Sequence, residues 1–80
     1  MSALTVRRRQ ILVLVANGHT NAAIGRLLGI SRPTVDRHLA EIYTALGARD
    51  RAQAVAIALA IGEIGIHQIH IPDQQREAAA

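Results

Sequence analysis

The sequence predicts an all-α fold of four short helices followed by a C-terminal tail. Apolar residues recur at helical spacing in four segments, a capping residue precedes each segment, and Gly18, Gly29 and Gly47 mark the ends of the first three. A short turn, Gly29-Ile30-Ser31, separates the second and third segments, as is typical of a helix-turn-helix. We expect one folded domain over residues 1–62 and an extended, partly disordered tail over residues 63–80, which could associate with a dimer.

The first helix is expected to run from Val6 to about Asn17, because Thr5 is a suitable N-cap and Gly18 a suitable stop. Its buried face is expected to hold Ile11, Leu12, Leu14 and Val15. Residues 7–9 are consecutive arginines in the first turn, where positive charge opposes the helix dipole. They either meet an anion, such as a DNA phosphate, or are simply solvated.

The second helix follows a turn and carries a glycine in its interior. Either Thr20 or Asn21 supplies the N-cap, and Gly29 ends the helix. The inward face is predicted to hold Ile24, Leu27 and Leu28. A mid-helix glycine costs roughly 1 kcal/mol relative to alanine. We therefore expect two helices to approach closely at Gly25.

The third helix has one apolar face and one polar face. Ser31 is its N-cap, Pro33 lies in its first turn, and Gly47 matches a left-handed C-cap. The apolar face holds Val35, Leu39, Ile42 and Leu46. The opposite face carries short and charged side chains, namely Arg32, Asp36, Arg37, Ala40, Glu41 and Thr44. This division suits a helix that enters the major groove of DNA.

The fourth helix follows a capping box formed by Asp50 and Gln53. Residues 52–61 are apolar on every side except at Gln53, and an 80-residue chain cannot bury such a helix by itself. We expect homodimerisation through this helix, at Ala52, Val55, Ala56 and Leu59. The alternative is an alanine-rich helix with a tolerably exposed face.

The tail is expected to be extended or strand-like over residues 63–71, because isoleucines alternate there in two registers before Pro72. This segment could pair with its twin across a dimer or lie over the core. Residues 73–80 are expected to fray, although their alanines and glutamate could extend a short helix.

Charge is unevenly placed along the chain. Residues 1–62 hold eight arginines against three acidic residues, whereas residues 63–80 hold one arginine against three acidic residues. All nine basic residues are arginine, whose planar fork suits phosphate and guanine. A GC-rich genome would also explain this usage.

Several classes of protein are not expected. No cysteine, no apolar run of about 18 residues and no signal-peptide pattern occurs, so we expect a cytoplasmic protein with no membrane association. The sequence contains no catalytic set of side chains and no phosphate-binding loop, so we do not expect an enzyme. No cofactor or small-molecule substrate is expected either. The only metal-like spacing, His67-x-x-His70, lacks further ligands, so no metal site is expected.

A set of short motifs occurs in one order and spacing over residues 4–62. The motifs are Leu4-Thr5-x-Arg7, Gly18-x-Thr20-Asn21, Ile24, Leu28, Ile30-Ser31-x-x-Thr34-Val35-x-x-His38-Leu39 and Ile42-Tyr43-x-x-Leu46-Gly47-Ala48-Arg49-Asp50-Arg51-Ala52-Gln53-Ala54-Val55. In them the chain resembles the LuxR/GerE-type helix-turn-helix domain of bacterial regulators. The resemblance implies a four-helix domain, a third helix in the major groove and a dimer through the fourth helix.

The resemblance also implies roles for single residues. The base-facing residues are Asp36, Arg37 and Ala40, with Arg37 expected on guanine O6 and N7. The backbone-phosphate candidates are Thr20, Asn21, Arg32, Thr34, His38, Arg49 and Arg51. As alternatives, Arg37 pairs with Glu41 on the surface, and His38 packs between helices. Phosphate contacts should make binding salt-sensitive.

The chain departs from the usual family pattern at four positions. Arg8 and Ala23 replace glutamate, Gly25 replaces alanine, and Asp36 replaces lysine. The change at Asp36 matters most for DNA binding, because phosphates repel its carboxylate and general affinity should fall. The same carboxylate can accept a hydrogen bond from cytosine N4. Alternatively, Asp36 pairs with Arg32 one turn earlier and holds it in place.

The sequence thus predicts a sequence-specific, double-stranded-DNA-binding transcriptional regulator that acts as a homodimer on the nucleoid. The alternative is an interaction module of the same fold that modulates another regulator without binding DNA. The family often places a receiver or sensor domain before this module. The initiating Met1 and the 18-residue tail favour a standalone regulator over an excised domain.

Overall fold

The computed structural model describes residues 3–73, which contain four α-helices and one short 3-10 helix. The helices are α1 (Val6–Ala16), α2 (Asn21–Leu28), α3 (Arg32–Leu46) and α4 (Arg51–Ile61), and the 3-10 helix spans Ile66–Gln68. α3 is central, because α1, α2 and α4 all pack against it. The predicted all-α, four-helix fold is confirmed. Within residues 3–73, every helix is too short or too polar to cross a bilayer.

Side-chain caps begin all four helices. Thr5, Ser31 and Asp50 cap α1, α3 and α4, as predicted. α2 is capped by Thr20, whose hydroxyl accepts a backbone N–H at 3.1 Å. Asn21 is therefore the first helical residue rather than the cap, and its side chain is available for other contacts.

The capping box of α4 is shifted by one residue. The Gln53 N–H donates to Asp50 Oδ1 at 2.8 Å, as predicted. Gln53 Oε1 accepts from the Arg49 N–H at 2.7 Å instead of from the N–H of the cap residue. The reciprocal bond thus ties the preceding loop to the first turn of α4.

The core is aliphatic throughout the described residues. Its buried members are Leu4, Ile11, Leu12, Val15, Ile24, Val35, Leu39, Ile42, Ala54, Ala58 and Ile64. Leu14 and Leu46, also expected in the core, are half-buried at its edge. Tyr43, the one aromatic residue of the chain, is half-buried against this cluster.

The prediction that Leu27 faces the core is wrong, because 60% of its surface is exposed. Successive residues of an α-helix are rotated by about 100°. The buried side of α2 contains Ile24 and Gly25 and is flanked by half-buried Leu28. Leu27 points roughly 110° away from the middle of that side.

Gly25 allows a close backbone approach, as predicted, although its partner is the turn before α3 rather than the body of another helix. A Cβ on Gly25 would lie 2.7 Å from the Ile30 carbonyl oxygen. The Ile30 N–H also donates to the Gly25 carbonyl at 3.0 Å. The turn therefore packs directly on α2 and sets where α3 begins.

The segment after α4 lies against α1. It was predicted to be extended or strand-like, and the strand is wrong, because no strand occurs in residues 3–73. Asn17 Nδ2 donates to the Gln68 carbonyl at 3.0 Å, and Asn17 Oδ1 accepts from the His70 N–H at 2.7 Å. One side-chain amide thus supplies the donor and acceptor that a neighbouring strand would offer. Apart from Asp73, the residues predicted to fray lie outside the described part of the chain, and the division at residue 62 stays a prediction.

Glu63 joins the start of the described chain to the end of α4. Its carboxylate accepts from the Ala3 N–H and lies 3.4 Å from Arg9 Nη1. Arg9 Nη1 also donates to the Leu4 carbonyl at 3.2 Å. Because only 9% of the Glu63 side chain is exposed, these partners replace much of its hydration.

Candidate nucleic-acid interface

α3 presents a polar face to solvent along its N-terminal half. Asp36, Arg37 and Ala40, the predicted base-facing residues, are all exposed. Val35 and Leu39, on the other side of the same turns, are buried in the core. The packing of α3 on the other helices therefore leaves these three side chains together on one open surface.

Arg37 has no partner in the part of the chain that the structure describes. Glu41, its possible partner one turn later, is instead paired with Arg8 of α1. Within residues 3–73, the side chain of Arg37 makes no hydrogen bond or ion pair. The alternative in which Arg37 pairs with Glu41 is therefore not found. A guanidinium with five N–H donors faces solvent from the middle of the exposed face.

Asp36 is bonded to the start of α2. Asn21 Nδ2 donates to Asp36 Oδ1 at 2.7 Å. Asp36 therefore pairs with Asn21 and not with Arg32, the alternative considered from the sequence. The second carboxylate oxygen, Oδ2, makes no further hydrogen bond within the described residues, so it remains an available acceptor.

Asn21 is held in turn by Arg51, the first residue of α4. Arg51 Nη1 donates to Asn21 Oδ1, and Arg51 Nη2 donates to the His19 carbonyl, both at 2.8 Å. We call this chain of bonds the Arg51–Asn21–Asp36 relay. It connects α4, α2 and α3, and it occupies several of the donors that Asn21 and Arg51 would otherwise offer to an anion.

A cleft of about 640 Å³ opens beside the relay, between the α1–α2 turn and the start of α3. Four of the predicted phosphate-contacting residues line it, namely Thr20, Asn21, Arg32 and Arg51. Thr34 lies at the start of α3 with its hydroxyl 2.9 Å from Ser31 Oγ. Arg49 is exposed in the loop before α4 and does not line the cleft.

His38 is half-buried, and its Nδ1 is buried without a hydrogen-bond partner. An N–H buried without an acceptor costs the full desolvation of that group. We therefore expect the lone pair on Nδ1 and, in the neutral ring, the proton on Nε2. In this form His38 can donate one hydrogen bond from Nε2.

α4 keeps apolar residues on its outer side. Of its eleven residues only Ala54 and Ala58 are buried. None of the four residues predicted for a dimer interface is buried in the single chain: Ala52 and Ala56 are exposed, and Val55 and Leu59 are half-buried. Ile61, at the end of the helix, is 58% exposed. Within residues 3–73, no group of three potential metal ligands is close enough to hold an ion.

Comparison with known proteins identifies the family. Residues 2–58 match the family model GerE, described as bacterial regulatory proteins of the luxR family. This chain belongs to the luxR family. The resemblance inferred from the sequence motifs is confirmed, and helix-turn-helix domains of this type bind double-stranded DNA.

The relatives of this LuxR-family domain are transcriptional regulators. It is 46% identical over 61 residues to the probable transcriptional regulatory protein SgaR of Hyphomicrobium methylovorum, covering 76% of this chain and 29% of SgaR. It is 41% identical over 63 residues to the transcriptional activator protein SolR of Ralstonia nicotianae, covering 79% of this chain and 27% of SolR. The chain thus spans less than a third of the length of these relatives. They are regulators and not enzymes, in agreement with the sequence prediction.

Solved structures agree with the sequence relatives. The transcription factor GerE superposes with a TM-score of 0.75 at 35% identity, covering 79% of this chain and 94% of GerE. A structure of VqmA bound to DPO gives a TM-score of 0.70 at 30% identity, covering 92% of this chain and 35% of VqmA. The LuxR/GerE-type fold predicted from the sequence is therefore confirmed.

Sequence reasoning missed two pairings of the LuxR-family domain. Asp36 pairs with Asn21, 15 positions earlier, and Arg8 pairs with Glu41, 33 positions later. Helical spacing predicts neighbours only three or four positions apart. Asp36 and Arg8 are both departures from the family pattern, so the pattern offered no partner for either. The unusual charge at these positions was the one available signal.

Proposed function

We propose that this LuxR-family domain binds double-stranded DNA sequence-specifically, as a homodimer with α3 in the major groove, and so regulates transcription. The observation that carries the proposal is the unpaired Arg37 guanidinium on the exposed face of α3. A guanidinium in this position can donate two bonds to guanine O6 and N7, a contact worth about 1–3 kcal/mol of discrimination.

The neighbours of Arg37 complete the proposed reading surface. Ala40 is exposed one turn later, and a short apolar side chain there can contact a thymine methyl group. Asp36 Oδ2, which has no partner within the described residues, can accept from cytosine N4. The three side chains differ in charge and size, and each therefore favours a different base edge.

We further propose that the cleft beside α2 accepts the DNA backbone. Its arginines supply positive charge, and the Thr20 hydroxyl and Asn21 amide supply neutral donors. His38 would donate to a phosphate from Nε2, while Arg51 mainly holds Asn21, because both its Nη atoms are already bonded. Thr34, Arg32 and Arg49 are the remaining phosphate-contact candidates.

The outer side of α4 is the proposed dimer interface. Ala52, Val55, Ala56 and Leu59 present a nearly continuous apolar strip with no polar side chain among them. Burying such a strip against its twin removes apolar surface from water at about 25 cal/mol per Å². Two copies of α3 would then reach successive major grooves of one duplex. We expect the protein to be cytoplasmic and associated with the nucleoid.

Selection of bound sequences from a random pool of duplex DNA tests the reading surface. On the selected site, Arg37→Ala should relax the preference at one base pair by about 5- to 150-fold, the range that corresponds to 1–3 kcal/mol. His38→Ala should weaken binding to all sequences alike. Equal losses across sequences in both variants would refute these roles. If the chain ignores duplex DNA at low salt and forms a heterodimer with another regulator, the interaction-module alternative is correct.

Sedimentation tests the interface. Leu59→Glu places a charge on the α4 strip and should give monomers with poor DNA affinity. Leu27→Glu is the matched control, because Leu27 is an exposed leucine on α2, and this variant should remain dimeric. Dimers of the Leu59 variant would show that the interface lies elsewhere.

A further inference from the structure

Asp36 stands at the edge of the proposed phosphate-binding cleft with its negative charge directed at one of the cleft's donors. Its Oδ1 accepts from Asn21 Nδ2 at 2.7 Å, and Asn21 lines the cleft together with Thr20, Arg32 and Arg51. One of the two N–H donors of the Asn21 amide therefore already bonds to an anionic acceptor of the same chain, beside the N–H that a DNA phosphate would use.

We propose that Asp36 is an internal competitor for DNA phosphate at Asn21, which lowers the affinity for DNA of any sequence. This inference rests on the proposed function. Two anionic oxygens that bond to one nitrogen lie about 5 Å apart, and repulsion between two unit charges at that distance in water weakens binding about fourfold. Asp36 acts here as a positioning residue, since it affects the phosphate contact by way of Asn21.

Arg51 makes this competition unavoidable. Arg51 Nη1 donates to Asn21 Oδ1 at 2.8 Å, and its Nη2 is anchored on the His19 carbonyl at 2.8 Å. The oxygen of the Asn21 amide is thus fixed toward α4, and its nitrogen is directed toward Asp36. Turning the amide over would place its NH₂ group against the guanidinium, where two donors face each other.

The competition favours specific over non-specific sites. Repulsion of a phosphate at Asn21 is the same for every sequence, because the DNA backbone carries no sequence information. A cytosine amino group within reach of Asp36 Oδ2 would offset it at sites of suitable sequence. Asp36 therefore weakens binding to random DNA more than binding to a site that offers this donor.

A double-mutant cycle tests the inference. The affinity of the full chain, Asp36→Ala, Asn21→Ala and the double variant for a random-sequence duplex is measured by fluorescence anisotropy at low salt. Asp36→Ala should tighten binding about fourfold in the wild-type background. In the Asn21→Ala background the same change should have less than about a twofold effect, because the contact that Asp36 opposes is gone. The general change in net charge is present in both backgrounds and cancels.

Two results would overturn the inference while leaving the proposed function intact. One is an equal gain in DNA affinity from Asp36→Ala in the wild-type and Asn21→Ala backgrounds, and the other is weaker DNA binding by Asp36→Ala than by the wild type. If neither the wild type nor any variant binds duplex DNA, the proposed function fails and this inference fails with it.

A second measurement needs neither DNA nor the Asn21 variant. In ¹⁵N–¹H spectra of the wild-type protein and of Asp36→Ala, one side-chain amide proton of Asn21 should move upfield in the variant. An unchanged resonance would show that the bond to Asp36 is absent in solution.

Discussion

Replacing Gly25 with alanine sets two physical effects against each other, and the structure predicts which one prevails. In an ordinary helix interior, alanine is favoured over glycine by about 0.8–1.0 kcal/mol. At Gly25, however, the new methyl group would lie 2.7 Å from the Ile30 carbonyl oxygen, a backbone atom that cannot rotate away. Overpacking of this kind costs about 1–3 kcal/mol. We therefore expect Gly25→Ala to be less stable than the wild type by about 1 kcal/mol.

Urea denaturation followed by circular dichroism gives the free energy of unfolding for this comparison. In a domain of this size a loss of about 1 kcal/mol lowers the midpoint of thermal unfolding by roughly 4–8 °C. Ala40→Gly is the matched control, because Ala40 is an exposed residue in the middle of α3. This variant measures how much glycine destabilises a helix where the side chain is not packed in the core. If Gly25→Ala proved more stable by about the amount that Ala40→Gly loses, the turn would have moved to accept the methyl group.

Three further predictions concern single contacts. Arg8→Ala leaves the Glu41 carboxylate unpaired on α3, so DNA affinity should fall more than in Arg26→Ala, the control at another arginine. The free energy of unfolding should change by less than about 1 kcal/mol. Equal DNA affinities of the two variants would contradict this prediction. Asn17→Ala removes the acceptor of the His70 N–H, so hydrogen exchange at His70 should accelerate while exchange in the core is unchanged; unaltered exchange at His70 would show that the tail is held otherwise. The ¹⁵N spectrum of His38 at neutral pH should show the proton on Nε2, and a proton on Nδ1 would contradict the buried, unpartnered position of that atom.

The helix boundaries could be predicted because their determinants are local. A Ser, Thr or Asp hydroxyl or carboxylate that accepts an N–H three residues later defines a helix start without reference to the rest of the chain. Gly29 and Gly47 adopt the left-handed conformation that ends α2 and α3, with φ of 69° and 68°. The fold class followed from these boundaries together with the apolar spacing, and the family motifs supplied the arrangement in space.

The errors arose where a contact outside an element decides which of its residues are buried or bonded. Leu27 was predicted in the core together with Ile24 and Leu28, but the buried side of α2 lies between Ile24 and Gly25, where the Ile30 turn packs. The segment after α4 looked like a strand because isoleucines alternate there. Its backbone partner proved to be the Asn17 side chain, 51 and 53 positions away. No periodicity within the segment could have indicated that amide.

The proposed DNA interface was predictable in outline and not in its internal bonds. The exposed face of α3 follows from helical spacing, so Asp36, Arg37 and Ala40 could be grouped from the sequence. The Arg51–Asn21–Asp36 relay could not, because it depends on the starts of three helices meeting in space. The DNA-contacting roles of these residues stay predictions until binding is measured.

The isolation of Tyr43 has a practical consequence. The chain contains no tryptophan or phenylalanine, so this one phenol, half-buried against the aliphatic core, is its only strong ultraviolet chromophore. Its emission is not masked by energy transfer to an indole. Intrinsic fluorescence of the unlabelled chain therefore reports on the surroundings of a single known side chain of α3, and it can follow both unfolding and the arrival of a nucleic acid.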